Sequence, residues 1–315
     1  MALLSATGQL RIQHVYVAAI GLGAADAFLS PAYSAIIAEL VPADILRAGN
    51  AARLLGRSAA RIAGPTIGGL VVGFVNPAAA FGIDALTFVF SIGTLLLAHP
   101  GRRTPGTSSS IIADIREGFG YLFSYRWLWT TTIYFMFVNV AYAGMSGVMT
   151  PILVRDTLGG DARMFGFLMA AYGVGTIVAS IGVAQLVTRR PGRVMFACEI
   201  LAALCVLGIG LVPTQPAVFV SIALTGVALS SSTVIWQAML QRLVPARVLG
   251  RVTSIDLLGN SVINPLAPLI AAALIGAVGP PATFLIAGIY ALGLVAITVL
   301  VSPLRDLEEP AARAA

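Results

Sequence analysis

Residues 40–65 read LVPADILRAGNAARLLGRSAARIAGP, and residues 243–268 read LVPARVLGRVTSIDLLGNSVINPLAP. The two stretches align without a gap at an offset of 203 residues. Leu40, Val41, Pro42, Ala43, Leu46, Leu54, Leu55, Gly56, Ser58 and Pro65 find the same residue in the second copy, ten identities in 26 positions. Each copy begins in a polar, arginine-bearing segment and runs into an apolar one. What such a segment is doing in this chain follows from composition.

Hydrophobic residues make up 58% of the chain and charged residues only 10%. A soluble domain carries roughly 25% charge. So few charges cannot cover so much apolar surface in water, and the chain reads as an all-α, multispanning membrane protein. All 19 basic residues are arginine, and the net charge is +6. The arginines do not cluster on a soluble face, so nucleic acid is not the expected partner; the lipid bilayer is. Cys198 and Cys205 lie in one apolar span at i and i+7, too far apart to bridge, and read as packing residues. The opening MALLSATGQL lacks the basic region and cleavage site of a signal peptide.

Apolar runs of about 20 residues mark nine spans, at about 15–38, 55–76, 79–98, 128–150, 164–187, 194–213, 216–240, 255–278 and 281–302. Sixteen arginines fall on one side of this arrangement, and Arg11, Arg155 and Arg163 on the other. The positive-inside rule makes the rich side cytoplasmic and puts the C-terminus there, in a cell membrane. The longest loop, 99–127, is on that side. Within it Ile111, Ile112, Ile115, Phe119 and Leu122 recur at helical spacing opposite Asp114, Arg116 and Glu117, which predicts an amphipathic helix on the membrane surface.

The offset of 203 residues crosses six spans, and both copies run in the same direction. That is a parallel repeat of six-helix units. A complete second half occupies 128–302, whereas only three spans precede the loop. The expected organisation is a truncated N-terminal bundle over 1–98, with the end of a third helix and helices four to six. A cytoplasmic linker follows over 99–127, then a C-terminal six-helix bundle over 128–302 and a cytoplasmic tail over 303–315. Nine spans of an expected twelve are then present, and three lie before Met1.

Two six-helix halves joined by a cytoplasmic loop resemble the major facilitator superfamily. Gly64-Pro65-Thr66-Ile67-Gly68-Gly69 resembles the core of the GPxxGG motif of that family's drug–proton antiporters. Pro65 removes a backbone donor and bends a helix, while Gly64, Gly68 and Gly69 clear a face for a neighbour. SPAYSAIIAELVP (30–42), DALTF around Asp84, DIREGFGYL (114–122) and LVPARVLGRVTSID (243–256) resemble the enterobactin-exporter and macrolide-efflux branch. Arg190-Pro191-Gly192-Arg193 resembles a weak second copy of the superfamily's acidic-arginine loop. The sequence departs from the pattern at Ala60, where the motif has glycine, and at Ala19, where the fourth-helix motif has arginine.

Charged side chains within a span are functional candidates because they are expensive there. Asp26 sits near the middle of the first span, and Asp84 lies about a turn and a half from the outer end of its own. Both are proton-coupling candidates, the alternative for each being a capping or packing role. Arg61, Asn139, Tyr142, Trp236, Gln237, Asn260 and Asn264 are candidates to line a substrate cavity, since an efflux pocket needs apolar walls and a few polar contacts. The plain alternative is interhelical packing, and for Arg61 snorkelling to water; Glu199, about a turn and a half from the cytoplasmic end of its span, is expected to snorkel. Across the repeat Glu39 aligns with Arg242 and Arg53 with Asp256, positions of opposite charge. These four are candidates for a gate at the cytoplasmic mouth, against the plainer reading of local or solvated pairs.

The expected function is proton-coupled efflux of small hydrophobic molecules, drug or siderophore-like, by alternating access. A non-transporting remnant of such a protein is the alternative. A membrane-embedded enzyme is disfavoured, because His14 and His99 sit near opposite faces and no HExxH or paired-carboxylate motif is present. No cofactor or metal is called for. The sequence does not name the substrate or choose proton over sodium.

Overall fold

A computed structural model describes residues 1–40, 46–97, 111–184 and 188–301. The chain divides into two compact units, Met1–Thr107 and Ser108–Ala315. Among the described residues all regular structure is helical.

The first unit contains α1 (Ala2–Ala6), α2 (Ile12–Leu40), α3 (Leu46–Phe74) and α4 (Pro77–Leu97). α4 packs against α1 and α3, and α2 against α3. Proline opens α4, where its missing N–H is not needed, and Asn76 Oδ1 caps the helix by accepting from the Ala79 amide at 2.8 Å. Pro65 lies inside α3, which continues through it. Leu86, Phe90, Leu96 and Leu97 point outward from α4, the surface an apolar solvent requires.

The second unit begins with α5 (Ile111–Ser124) and α6 (Arg126–Gly144). A π-helical turn, Met145–Met149, joins α6 to α7 (Thr150–Asp156). Then come α8 (Ala162–Ala184), α9 (Pro191–Leu211), α10 (Gln215–Leu243), α11 (Ala246–Ile263), α12 (Leu266–Val278) and α13 (Pro280–Val301). Prolines again sit at helix starts, in α7, α9 and α10. Asp161 Oδ1 caps α8 by accepting from the amides of Arg163 at 3.0 Å and Met164 at 3.2 Å. Gly279, at φ +81°, turns the chain from α12 into α13, a backbone geometry that suits a residue without Cβ.

Six helices among the described residues are long and apolar enough to cross a membrane: Pro77–Leu97, Arg126–Asp156, Ala162–Val183, Pro191–Leu211, Gln215–Leu243 and Pro280–Val301. Two sequence expectations change. The span expected at 128–150 is longer, because the π-helical turn carries the helix on to Asp156. The span expected at 255–278 is broken at Asn264-Pro265 into α11 and α12. Pro265 has no amide to donate and its ring crowds the preceding turn, although Asn264 and Pro265 both keep helical dihedrals. The result is a kink rather than a loop.

The core of this unit lies where α6, α8, α9, α10 and α13 meet, around Leu128, Leu168, Met195, Ile209, Ile222 and Phe284. α10 packs along both α8 and α9, and α13 packs along α9. α11 and α12 lie against α6. This leaves α6, α10 and α11 sharing the interior seam described next.

Candidate functional site in the second helical unit

Two carboxylates are buried among the described residues of this unit, Glu199 at 1% exposure and Asp256 at 3%. Glu199 is on α9 and faces α6. Tyr134 donates its hydroxyl to Glu199 Oε2 at 2.7 Å, and Tyr134 itself is buried. Ser232 of α10 stands beside the same carboxylate but outside hydrogen-bond geometry, and its hydroxyl has no partner among the described residues. The expectation that Glu199 snorkels to water is therefore corrected. A glutamate stem is too short to reach the helix end from this depth, and Tyr134 answers its charge locally.

Asp256 is on α11 and faces α10. Trp236 Nε1 donates to Asp256 Oδ2 at 3.4 Å, a long bond. The second oxygen, Oδ1, has no partner among the described residues, and Thr132 of α6 lies alongside without bonding geometry. Around Trp236 the rings of Phe135 (centroid 5.5 Å, tilted 46°) and Trp127 (6.2 Å, edge-on at 74°) form an aromatic cluster. One turn along α11, Asn260 donates its Nδ2 to the Asp256 backbone carbonyl at 2.9 Å. Its side-chain oxygen accepts from Asn139 Nδ2 on α6 at 2.5 Å. Asn139 also donates to the Phe135 carbonyl at 2.9 Å.

The structure thus brings together four residues singled out in the sequence: Asn139, Trp236, Asp256 and Asn260. Others fall elsewhere. Tyr142 is on α6 with a buried hydroxyl that has no partner among the described residues, three residues before the π-helical turn. Gln237 is half-buried on α10, and Asn264 is exposed at the kink. Arg242 is exposed near the end of α10. In the first unit Asp84 is exposed on α4, and its backbone carbonyl accepts from Thr87 Oγ1 at 2.7 Å. Of the bend motif, Gly69 is buried, Pro65 and Gly68 are half-buried and Gly64 is exposed. No described neighbour approaches the open faces of Gly64 and Gly68. Asp26, Glu39, Arg53 and Arg61 lie on α2 and α3, but their side chains are outside the described residues.

The participants that sequence reasoning missed are Tyr134, Thr132 and the rings of Trp127 and Phe135. None carries a charge, and Tyr134 meets its partner 65 positions away. The available signal was Glu199 itself, a charge inside a span that calls for a donor on a neighbouring helix.

The amphipathic helix of the linker, α5, is docked on protein along one side. Gly118 lets it approach α11 closely: a Cβ there would lie 2.8 Å from Ile255 Cδ1. Glu117 accepts from Arg251 at 2.6 Å and also pairs with Arg247, so two arginines one turn apart on α11 hold one carboxylate. Beside this clasp Ile115, Phe119, Ile255 and Leu258 line a cleft of about 340 Å³.

Comparison with known proteins agrees with this membrane architecture. Residues 1–258 match the family described as transmembrane secretion effector. The multidrug efflux pump Tap of Mycobacterium tuberculosis H37Rv is 28% identical over 254 residues, covering 78% of this chain and 60% of the pump. The Tap pump of Mycolicibacterium fortuitum is 25% identical over 252 residues, covering 78% and 61% respectively. The chain spans about 60% of the length of the curated relatives it matches. An apolar helical bundle with polar groups at its interior seam, and a family match across residues 1–258 of 315, place this chain in the transmembrane secretion effector family of the major facilitator superfamily.

Proposed function

We propose that the chain acts in proton-coupled efflux of small hydrophobic molecules across the cell membrane, by alternating access. The observation that carries this reading is the family match, with its similarity to multidrug efflux pumps. The interior seam supports it: a carboxylate, two amides and an aromatic cluster inside an apolar bundle are the few polar contacts and apolar walls that such a pocket needs. The kink at Asn264-Pro265 and the π-helical turn on the facing helix supply places where segments can bend. Asp26 and Asp84 are the proton-coupling candidates. In the same reading the arginine-rich side faces the cytoplasm and so does the C-terminus.

The test is accumulation of a fluorescent hydrophobic dye in cells that make the chain, against cells carrying an empty vector. Reduced accumulation that a protonophore reverses, and that Asp26→Asn impairs, is expected. Accumulation equal to the vector control would remove the export reading, and insensitivity to the protonophore would remove the proton.

A further inference from the structure

Three charges meet where α5 lies against α11, and they do not cancel. Glu117 accepts from Nη1 of Arg247 and, at 2.6 Å, from Nη1 of Arg251. A carboxylate offers about four acceptor positions, whereas two guanidiniums carry roughly ten N–H donors. Of the Arg247 side chain 74% stays exposed in this pairing. The clasp therefore keeps positive charge and donors on the surface, a surface suited to an oxyanion.

The cleft beside the clasp asks for something else. Ile115 and Phe119 of α5 wall it on one side and Ile255 and Leu258 of α11 on the other, around about 340 Å³. Ile115 and Leu258 are both exposed, so this apolar space is open. Arg251 belongs to its wall, and Ser254 is the other polar side chain there.

The two demands are ordered along α11. Arg247, Arg251, Ile255 and Leu258 recur at i, i+4, i+8 and i+11, which keeps them on one helix face. The arginines stand near the start of the helix, and Ile255 and Leu258 lie about 6 and 10 Å beyond Arg251. Beyond them the chain runs through the Asn264-Pro265 kink into the apolar α12. A cationic mouth leading to an apolar slot matches a phospholipid, phosphate first and hydrocarbon behind. A free phosphate ion would use the arginines and leave the slot bare. An acidic peptide would repeat what Glu117 already supplies.

We propose that the cleft between α5 and α11 binds one anionic phospholipid, its phosphate on Arg247 and Arg251 and an acyl chain between Phe119 and Leu258. The site is independent of the cargo and the direction of transport. Glu117 and the phosphate compete for the same guanidiniums, so bound lipid loosens the clasp that holds α5.

Binding is measured by native mass spectrometry of the purified full chain in detergent. Dioleoyl phosphatidylglycerol is titrated against dioleoyl phosphatidylcholine, which has the same chains and no net charge. One saturable adduct is expected, at least about fivefold tighter for the anionic lipid. Arg247→Gln with Arg251→Gln removes that preference, and Arg189→Gln, which deletes an arginine outside the clasp, keeps it. Ser254→Trp fills the slot without altering a charge and weakens the adduct. Glu117→Gln strengthens it, because the competing carboxylate is gone; a purely structural clasp would give the reverse. Equal affinity for the two lipids overturns the site, and that comparison needs wild-type protein alone. So does a preference that survives loss of both arginines, or one that Arg189→Gln abolishes equally. An adduct indifferent to Ser254→Trp, or weakened by Glu117→Gln, overturns it as well.

Discussion

Tyr134 and Glu199 form a pair whose two members have no other use for each other's chemistry. The hydroxyl needs an acceptor once buried, and the carboxylate needs a donor. Removing one partner is the costly change, because the survivor keeps its desolvation penalty. Tyr134→Phe is therefore expected to destabilise the second unit by about 1–3 kcal/mol. Replacing both partners, in Tyr134→Phe with Glu199→Met, is expected to recover most of that loss. Thermal unfolding in detergent, followed by dye binding or intrinsic fluorescence, checks both. A double variant less stable than Tyr134→Phe alone would show that Glu199 is held by more than this tyrosine. A sequence pattern shows that Glu199 is a charge in a span. It does not show whether a stem reaches water or meets a neighbour, because that depends on which helix lies opposite. Asp256 is similar: its helix face with Asn260 is legible from the i and i+4 spacing, whereas its contact with Trp236 is a product of packing between helices.

At the scale of elements, two helix crossings depend on missing side chains. A Cβ at Gly175 would fall on the Ala223 carbonyl, and one at Gly226 on the Tyr172 carbonyl, where α8 crosses α10. Where α9 crosses α13, a Cβ at Gly210 would lie 2.6 Å from the Pro281 carbonyl oxygen. One at Gly288 would lie 2.7 Å from the Leu207 backbone. Such close approach is how helices gain packing where lipid supplies no hydrophobic drive. Gly226→Ala and Gly288→Ala are each expected to cost at least about 1–3 kcal/mol, the usual range for overpacking. Gly293→Ala, on the same α13 with open space around it, is expected to leave the unfolding temperature unchanged or slightly raised. The α5 clasp is weaker, since its charges are partly exposed and exposed pairs are each worth roughly 0.2–1 kcal/mol. Glu117→Arg is expected to speed amide exchange across α5, and the added change Arg251→Glu to slow it again. Unchanged exchange in Glu117→Arg would assign the docking of α5 to its apolar contacts with α11, Gly118 among them. Apolar length made α4, α8, α9, α10 and α13 legible to within a few residues. It hid the π-helical turn, because hydropathy stays high there while the hydrogen-bond register does not, and it ran one span across the Asn264-Pro265 kink although the apolar run proper begins only at α12.

At the scale of the molecule, the sixteen-to-three division of arginines makes a claim that each span must honour by reversing the chain. α9 is the cleanest place to test it. It runs 21 residues from Pro191 to Leu211, about 30 Å at the rise of an α-helix, enough to cross the hydrocarbon layer once. Arg189 and Arg190 precede it and Arg193 lies in its first turn, whereas Thr214 lies in the short exposed turn after it. If the arginines mark the cytoplasm, these two ends lie on opposite sides. Cys198 and Cys205 must first be replaced by serine and alanine, since both are free thiols. On that background Thr214→Cys should react in intact cells with a membrane-impermeant maleimide, and Arg189→Cys only after the membrane is opened. Removing Arg189 leaves two arginines at that end, so the variant retains the bias it reports on. Labelling of both positions from outside would mean that α9 does not cross. Labelling of Arg189→Cys alone would invert the whole chain, moving the Glu117 clasp and the C-terminus to the outer face. The opposite-sides result would put the Glu117 clasp, like the arginine-bearing end of α9, at the cytoplasmic face.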